Sequence, residues 1–171
     1  MKRLLSLLMV TAFLYIGLSA CGQDNKDARP SPPAKVTGTA GGANITIDYS
    51  QPSVKGRKIF GSLEPWGKVW RAGANEATTI EFDKDVKING QPLPKGKYAF
   101  FAIPNESEWT LIFNKTANQW GAFRYKQEDD ALRVKVAPAK TPSLVEKLNY
   151  TIAGNKVTLA WENTAVSFNV Q

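Results

Sequence analysis

The sequence predicts an all-β domain: an antiparallel β-sandwich of two packed sheets, with a jelly-roll-like arrangement as its leading version. Three observations predict it. Apolar and polar residues alternate in short runs along most of the chain after residue 44. Turn-forming pairs punctuate those runs at regular spacing, and no stretch carries a sustained helical period. Uneven strand lengths argue against an up-and-down barrel.

Each strand has its own warrant. Ile45, Ile47 and Tyr49 alternate with Thr46 and Asp48, a strand with one wet face. Ile80 and Phe82 continue the pattern, and Val86 and Ile88 follow a short turn. Asn89-Gly90 is a hairpin signal, and Pro94-Lys95-Gly96 is another turn. Residues 98–103 and 109–113 are apolar on both faces, which predicts central strands. Leu132, Val134 and Val136 form the next, then Leu148, Tyr150 and Ile152. Gly154-Asn155 turns into Val157, Leu159 and Trp161, and Glu162-Asn163 turns into Val166, Phe168 and Val170. The only candidate helical turn is residues 142–147, which Ser143 could cap.

Residues 1–20 have the anatomy of an export signal. Lys2 and Arg3 precede an apolar run too short to span a bilayer comfortably. The run ends in Leu18-Ser19-Ala20-Cys21, which resembles the bacterial lipobox. That resemblance implies cleavage before Cys21, a diacylglycerol (palmitate-type) anchor on its sulfur and acylation of the new amino group. Several acyl chains, at roughly 0.8 kcal/mol per buried CH₂, make a lasting anchor. Gly22 follows where an aspartate would signal inner-membrane retention, so a Gram-negative outer membrane is the expected address. Gln23, Asp24 and Asp27 leave open whether the domain faces the periplasm or the cell surface. Residues 22–43 are polar and proline- and glycine-bearing, the composition of a flexible linker. Such a linker reaches on the order of 25 Å as a coil. The expected organisation is therefore residues 1–20 signal, 21–43 lipidated cysteine and linker, and 44–171 sandwich domain.

Composition removes several chemistries. The 171 residues contain no histidine, and Cys21 is the only cysteine. A zinc site built on His or Cys, a Ser-His-Asp triad, a Cys-His pair and an intrachain disulfide are all excluded. The formal charge is +7, and loss of Lys2 and Arg3 with the signal leaves +5. A basic surface suits anionic partners such as glycans or lipid head groups, or serves solubility alone. Positive charges scattered along an exported chain argue against nucleic acid.

Residues 56–82 read differently from the rest. Trp66 and Trp70 sit among Gly56, Gly61, Gly67 and Gly73, with Arg57, Lys58, Lys68, Arg71 and Glu76 interspersed. Long loops in compact domains more often carry function than short turns do. Trp66, Trp70, Arg71, Asn75 and Glu76 suit stacking on a sugar ring and orienting a polar ligand. Equally, the two indoles could plug one end of the sandwich while Arg71 and Glu76 pair. Asn114, Asn118, Gln119 and Trp120 form a second polar-aromatic group, of which Asn114 and Trp120 are the ligand candidates. The alternative there is a capped strand end with a packed Trp120. Glu64, Glu76, Glu81 and Asp83 are the available carboxylates for a glycosidase pair, but no spacing selects two of them. Asp83 with Asp85, and residues 128–130, match no recognised calcium loop. No cofactor is expected.

Two blocks carry a resemblance: Tyr49-Ser50-Gln51-Pro52 through Lys58-Ile59-Phe60-Gly61, and Trp66-Gly67-Lys68-Val69-Trp70-Arg71-Ala72-Gly73-Ala74-Asn75-Glu76-Ala77-Thr78-Thr79. Val86-Lys87-Ile88-Asn89-Gly90, Leu93-Pro94-Lys95-Gly96-Lys97-Tyr98, Glu108-Trp109-Thr110-Leu111-Ile112-Phe113-Asn114-Lys115 and Asn118-Gln119-Trp120-Gly121-Ala122 follow in order. Together they resemble the domain of unknown function 2911 family, from about residue 45 to the C-terminus. Trp66 stands where that family more often has tyrosine. The resemblance implies an envelope-exported β-rich domain of no established activity and supplies no catalytic residues. The expected function is a non-enzymatic binding or envelope-structural module, with a possible polar or saccharide-like ligand. A carboxylate-dependent hydrolase of envelope glycans and a scaffold for another envelope protein are the competing classes.

Overall fold

The computed structural model describes residues 25–171. The described residues are mostly strand, with turns and loops between. Its strands are β1 (Pro33–Ala40), β2 (Ala43–Ser50), β3 (Thr78–Phe82), β4 (Val86–Ile88), β5 (Gln91–Leu93), β6 (Gly96–Ile103), β7 (Trp109–Asn114), β8 (Asp130–Val136), β9 (Ala139–Ala153) and β10 (Lys156–Asn169). Helix is confined to two single 3₁₀ turns, Lys26–Ala28 and Gln127–Asp129, among the described residues.

Two antiparallel layers result. The first is a six-stranded sheet in the order β1-β2-β3-β6-β7-β8. The second is built on the long β9–β10 hairpin. The β4–β5 hairpin joins it, since Lys87 and Gln171 exchange backbone bonds of 2.7 and 2.9 Å beside the Ile88–Val170 bridge. Residues 52–54 extend its other edge, with Val54 N–H donating to Glu146 and Leu148 N–H to Pro52. The sandwich expected from the alternating runs is thus the observed architecture.

Between the layers, Ile45, Ile47, Ile80, Phe82, Phe100, Trp109, Leu111 and Phe113 from one side meet Leu148, Tyr150, Val157, Leu159, Trp161, Phe168 and Val170 from the other. Each such side chain, fully buried, contributes roughly 1.5–3 kcal/mol relative to exposure. The two-faced apolar writing of β6 and β7 has a second cause. Ala99, Phe101 and Ile112 point away from the main core into a smaller cluster with Ala77, against which Val69, Ile103, Ala122 and Tyr125 pack. Residues 115–129 fold back across that face, and the Phe101 and Tyr125 rings stand edge-on at 5.2 Å.

Three local expectations are corrected. Residues 33–40, expected as linker, form β1 and pair with all of β2, from Pro33–Ser50 to Ala40–Ala43. Alternation there was masked by small residues; Gly38 is small because a Cβ would stand 3.0 Å from Ile152 on β9. Residues 142–147 are strand within β9, not helix, because pairing with β10 and residues 52–54 overrides the local cap. Glu162, expected in a turn, is an irregularity inside β10, with φ of 57° and a register shift on either side.

Candidate functional site

The segment 115–129 covers only half of the outer face of the six-stranded sheet. Over β1, β2, β3 and the Lys97 end of β6 that face is open, and it forms the floor of a groove of about 430 Å³. Cross-strand register builds the floor. Lys35 on β1 stands opposite Asp48 on β2, and Asp48 opposite Thr79 on β3; Lys97 on β6 reaches the same carboxylate. One wall is the incoming chain from Lys26 to Pro33; the other carries Asn118, beyond which a contiguous depression of about 320 Å³ runs to Trp120.

Each carboxylate in the groove lies between two cations. Lys35 Nζ is 3.0 Å from Asp48 Oδ1, and Lys97 Nζ is 3.4 Å from Oδ2. Lys26 Nζ is 2.9 Å from Glu76 Oε1, and Arg29 Nη1 donates to both Glu76 oxygens at 3.1 and 2.9 Å. Partial burial would raise the Glu76 carboxyl, but hydrogen bonds from Lys26, its own backbone and Arg29 outweigh that and hold it down at about 2. Among the described residues, four cations and two carboxylates line the groove, a surplus of positive charge. Arg29 also lies over the Trp120 ring, 5.7 Å from its centroid.

The structure brings together part of the predicted set. Asn75 and Glu76 meet Trp120: the chain forms a bridge between Glu76 and Trp120, Gly121 N–H donates to Asn75 C=O, and Ala77 N–H donates to Gln119 C=O. Asn75, at φ 58°, sends its amide to Ser31 C=O at 2.9 Å and Ser50 Oγ at 3.2 Å, fastening the incoming segment. Trp120 is 55% exposed and presents a ring face beside the groove.

The others lie elsewhere. Trp70 is 2% exposed, inside an aromatic cluster with Phe60, Trp109 and Trp161, and its indole N–H donates to Gly73 C=O at 3.1 Å. Trp66 stacks near Phe60 and opens on a separate depression with Asn105 and Lys140. Asn114 is fully buried, its amide bonding Lys126 C=O and Asp130 while its carbonyl accepts from Thr116 and Gln119. The pairing of Arg71 with Glu76 is corrected, since Glu76 is held by Lys26 and Arg29. Arg71 stands near Glu64, together with Arg57. Burial pushes that carboxyl up to about 7 against the pull of both guanidinium groups. Cys21 lies outside the described residues.

Sequence reasoning missed Lys26, Arg29, Lys35, Asp48 and Lys97. The first three sat in the expected linker, Asp48 was read only as the wet face of a strand, and Lys97 only as part of the family-like block at residues 93–98. Alternation of Lys35 and Thr37 with Ala34 and Val36 was the available signal. Among the described residues no group of three or more Cys, Asp or Glu side chains is arranged to hold a metal. Asp83 caps Asn44 and Asp85 accepts from Lys95 N–H.

The family described as "Protein of unknown function (DUF2911)" matches residues 31–170. No curated protein and no solved structure matches the chain.

Proposed function

The chain belongs to the DUF2911 family, and from that premise we propose that it is a non-enzymatic binding module of the bacterial envelope, held at the outer membrane by acyl chains on Cys21. Its ligand is a polar, saccharide-like molecule bearing negative charge, taken into the groove over β1, β2, β3 and the Lys97 end of β6. The observation that carries this reading is the doubly bridged pair of carboxylates: Asp48 and Glu76 fix four cations in place at an open surface whose described lining residues are net positive.

Binding is favoured over hydrolysis by the same groups. A glycosidase needs one carboxyl held protonated as acid near neutral pH. Glu76, held down at about 2, does not supply it. Glu64, up at about 7, stands with Arg57 and Arg71 and not among the groove's lining residues.

The test is calorimetric titration of the acylated protein in detergent with oligosaccharides carrying carboxylate or phosphate groups, and with their neutral counterparts. Saturable binding of the acidic set, weakened by Lys35→Ala and Lys97→Ala, is expected. Equal heats for acidic and neutral sugars, or binding indifferent to both substitutions, would remove the groove from consideration.

A further inference from the structure

Where the chain enters the domain orients the molecule, an argument that rests on the Cys21 anchor proposed above. Lys26 is held at Glu76 by its 2.9 Å ion pair, and Arg29 lies between Glu76 and Trp120. Five residue steps separate Lys26 from Cys21. At roughly 3.3–3.6 Å per fully extended residue they span at most about 18 Å by any path. The acylated end, expected to float at the end of a long linker, is therefore close to the Glu76–Trp120 corner.

That corner carries exposed aromatic surface. Trp120 is 55% exposed and Phe123 is 86% exposed, the most exposed large apolar side chain among the described residues. The Phe123 ring lies against Gly121, where a Cβ would stand 2.9 Å from it. Exposed Arg124 and Lys126 flank it. Aromatic rings next to cations are the composition found at the head-group level of bilayers, where the ring sits at the acyl boundary and the cation meets phosphate. The opposite end lacks this character. It is formed by the Gly41–Gly42 and Gly154–Asn155 turns, joined by Gly41 N–H donating to Asn155 at 3.3 Å. The eight residues of β1, seven steps, separate the two ends by roughly 23 Å.

We propose that residues 120–126 are a membrane-docking surface: Trp120 and Phe123 seat at the head-group boundary of the bilayer that holds the Cys21 acyl chains, with Arg124 and Lys126 at its phosphates. The domain then lies against the membrane on this corner and points its glycine turns away. The occupant is the phospholipid surface because the chain before Lys26 is too short to hold this corner far from it.

The experiment uses the full acylated protein in vesicles of phosphatidylethanolamine and phosphatidylglycerol. Acylation consumes the Cys21 thiol, so Arg124→Cys and, separately, Lys156→Cys each offer one site for an environment-sensitive fluorophore. Quenching by a nitroxide lipid at head-group depth is expected to be several-fold stronger at 124 than at 156. Adding Trp120→Ser and Phe123→Ser should bring it down to the level at 156. Equal quenching at the two sites on protein whose intact mass shows its acyl chains would overturn the docking surface alone. A blue shift at 124 that follows protein density and ignores the nitroxide would overturn it in favour of a second copy of the chain. An intact mass without acyl chains would overturn the anchor and the docking surface together.

Discussion

Arg29 Nη1 donates to both oxygens of Glu76, at 3.1 and 2.9 Å, across 47 positions of sequence. Through this contact the N-terminal segment becomes a wall of the groove.

Glu76→Gln should loosen that wall without unfolding the sandwich. The Glu76 side chain is 40% exposed, so solvent screens its ion pairs and the cost to global stability is about 0.5–1 kcal/mol. Amide hydrogen exchange at residues 26–32 should quicken markedly, with β6 and β7 unchanged. The same release should follow acidification. A carboxyl at about 2 when folded and 4.5 otherwise stabilises fully above pH 4.5 and loses its contribution as pH falls toward 2. Exchange at residues 26–32 in the Gln variant should lack that dependence.

Glu64 has the opposite sign. Its carboxyl is up at about 7 because burial disfavours the charge. The folded state therefore binds the proton more tightly than the unfolded chain. Its favourable contribution is complete below pH 4.5 and lost as pH rises through 7. Glu64→Gln should be near neutral at pH 4.5 and stabilising at pH 8 by about 1–2 kcal/mol, measured by denaturant midpoint at each pH.

Trp70 and Trp120 should separate packing from membrane docking. Trp70→Ala removes the centre of the aromatic cluster and should cost about 3–5 kcal/mol in denaturant unfolding. Trp120→Ala, at a half-exposed site, should cost about 0.5–1 kcal/mol through the lost Arg29 contact. Nitroxide-lipid quenching at position 124 should fall in the folded Trp120 variant.

Tyr150 pins the loop that presents Asn75 and Glu76. Its hydroxyl donates to Ala72 C=O at 2.7 Å, and burial drives its pKa well above the ordinary tyrosine value. Ala72 is held at φ 49°, a conformation that needs such support. Thr78 Oγ1 also donates to that carbonyl at 3.0 Å, so Tyr150→Phe leaves it partnered. The expected cost is about 1 kcal/mol, read as a lowered melting temperature with the far-ultraviolet dichroism retained.

Much of the architecture was legible because its cause is local. Alternation in Ile45-Thr46-Ile47-Asp48-Tyr49 fixes which face is buried whatever the strand pairs with. The two-faced apolarity of β6 and β7 announced central strands, although not that residues 115–129 would cover the second face. The helical turn expected at residues 142–147 failed because a cap is worth less than the extended pairing of Val145 with Glu162 on one edge and of Glu146 to Leu148 with residues 52–54 on the other.

The candidate site was legible only in pieces. Asn75, Glu76 and Trp120 stood out as polar and aromatic groups, but so did Trp66, Trp70 and Asn114, which the fold sends to other places. By itself the sequence determined the all-β class, the central strands and the exclusion of histidine and disulfide chemistry, because these follow from residue type and nearest-neighbour periodicity. Tertiary structure alone decided that Lys26 and Arg29 meet Glu76, that Lys35 and Lys97 share Asp48, and that Trp70 is core while Trp120 is surface. Those outcomes depend on which strands become neighbours, and an ion pair across 47 residues leaves no periodic trace in the chain.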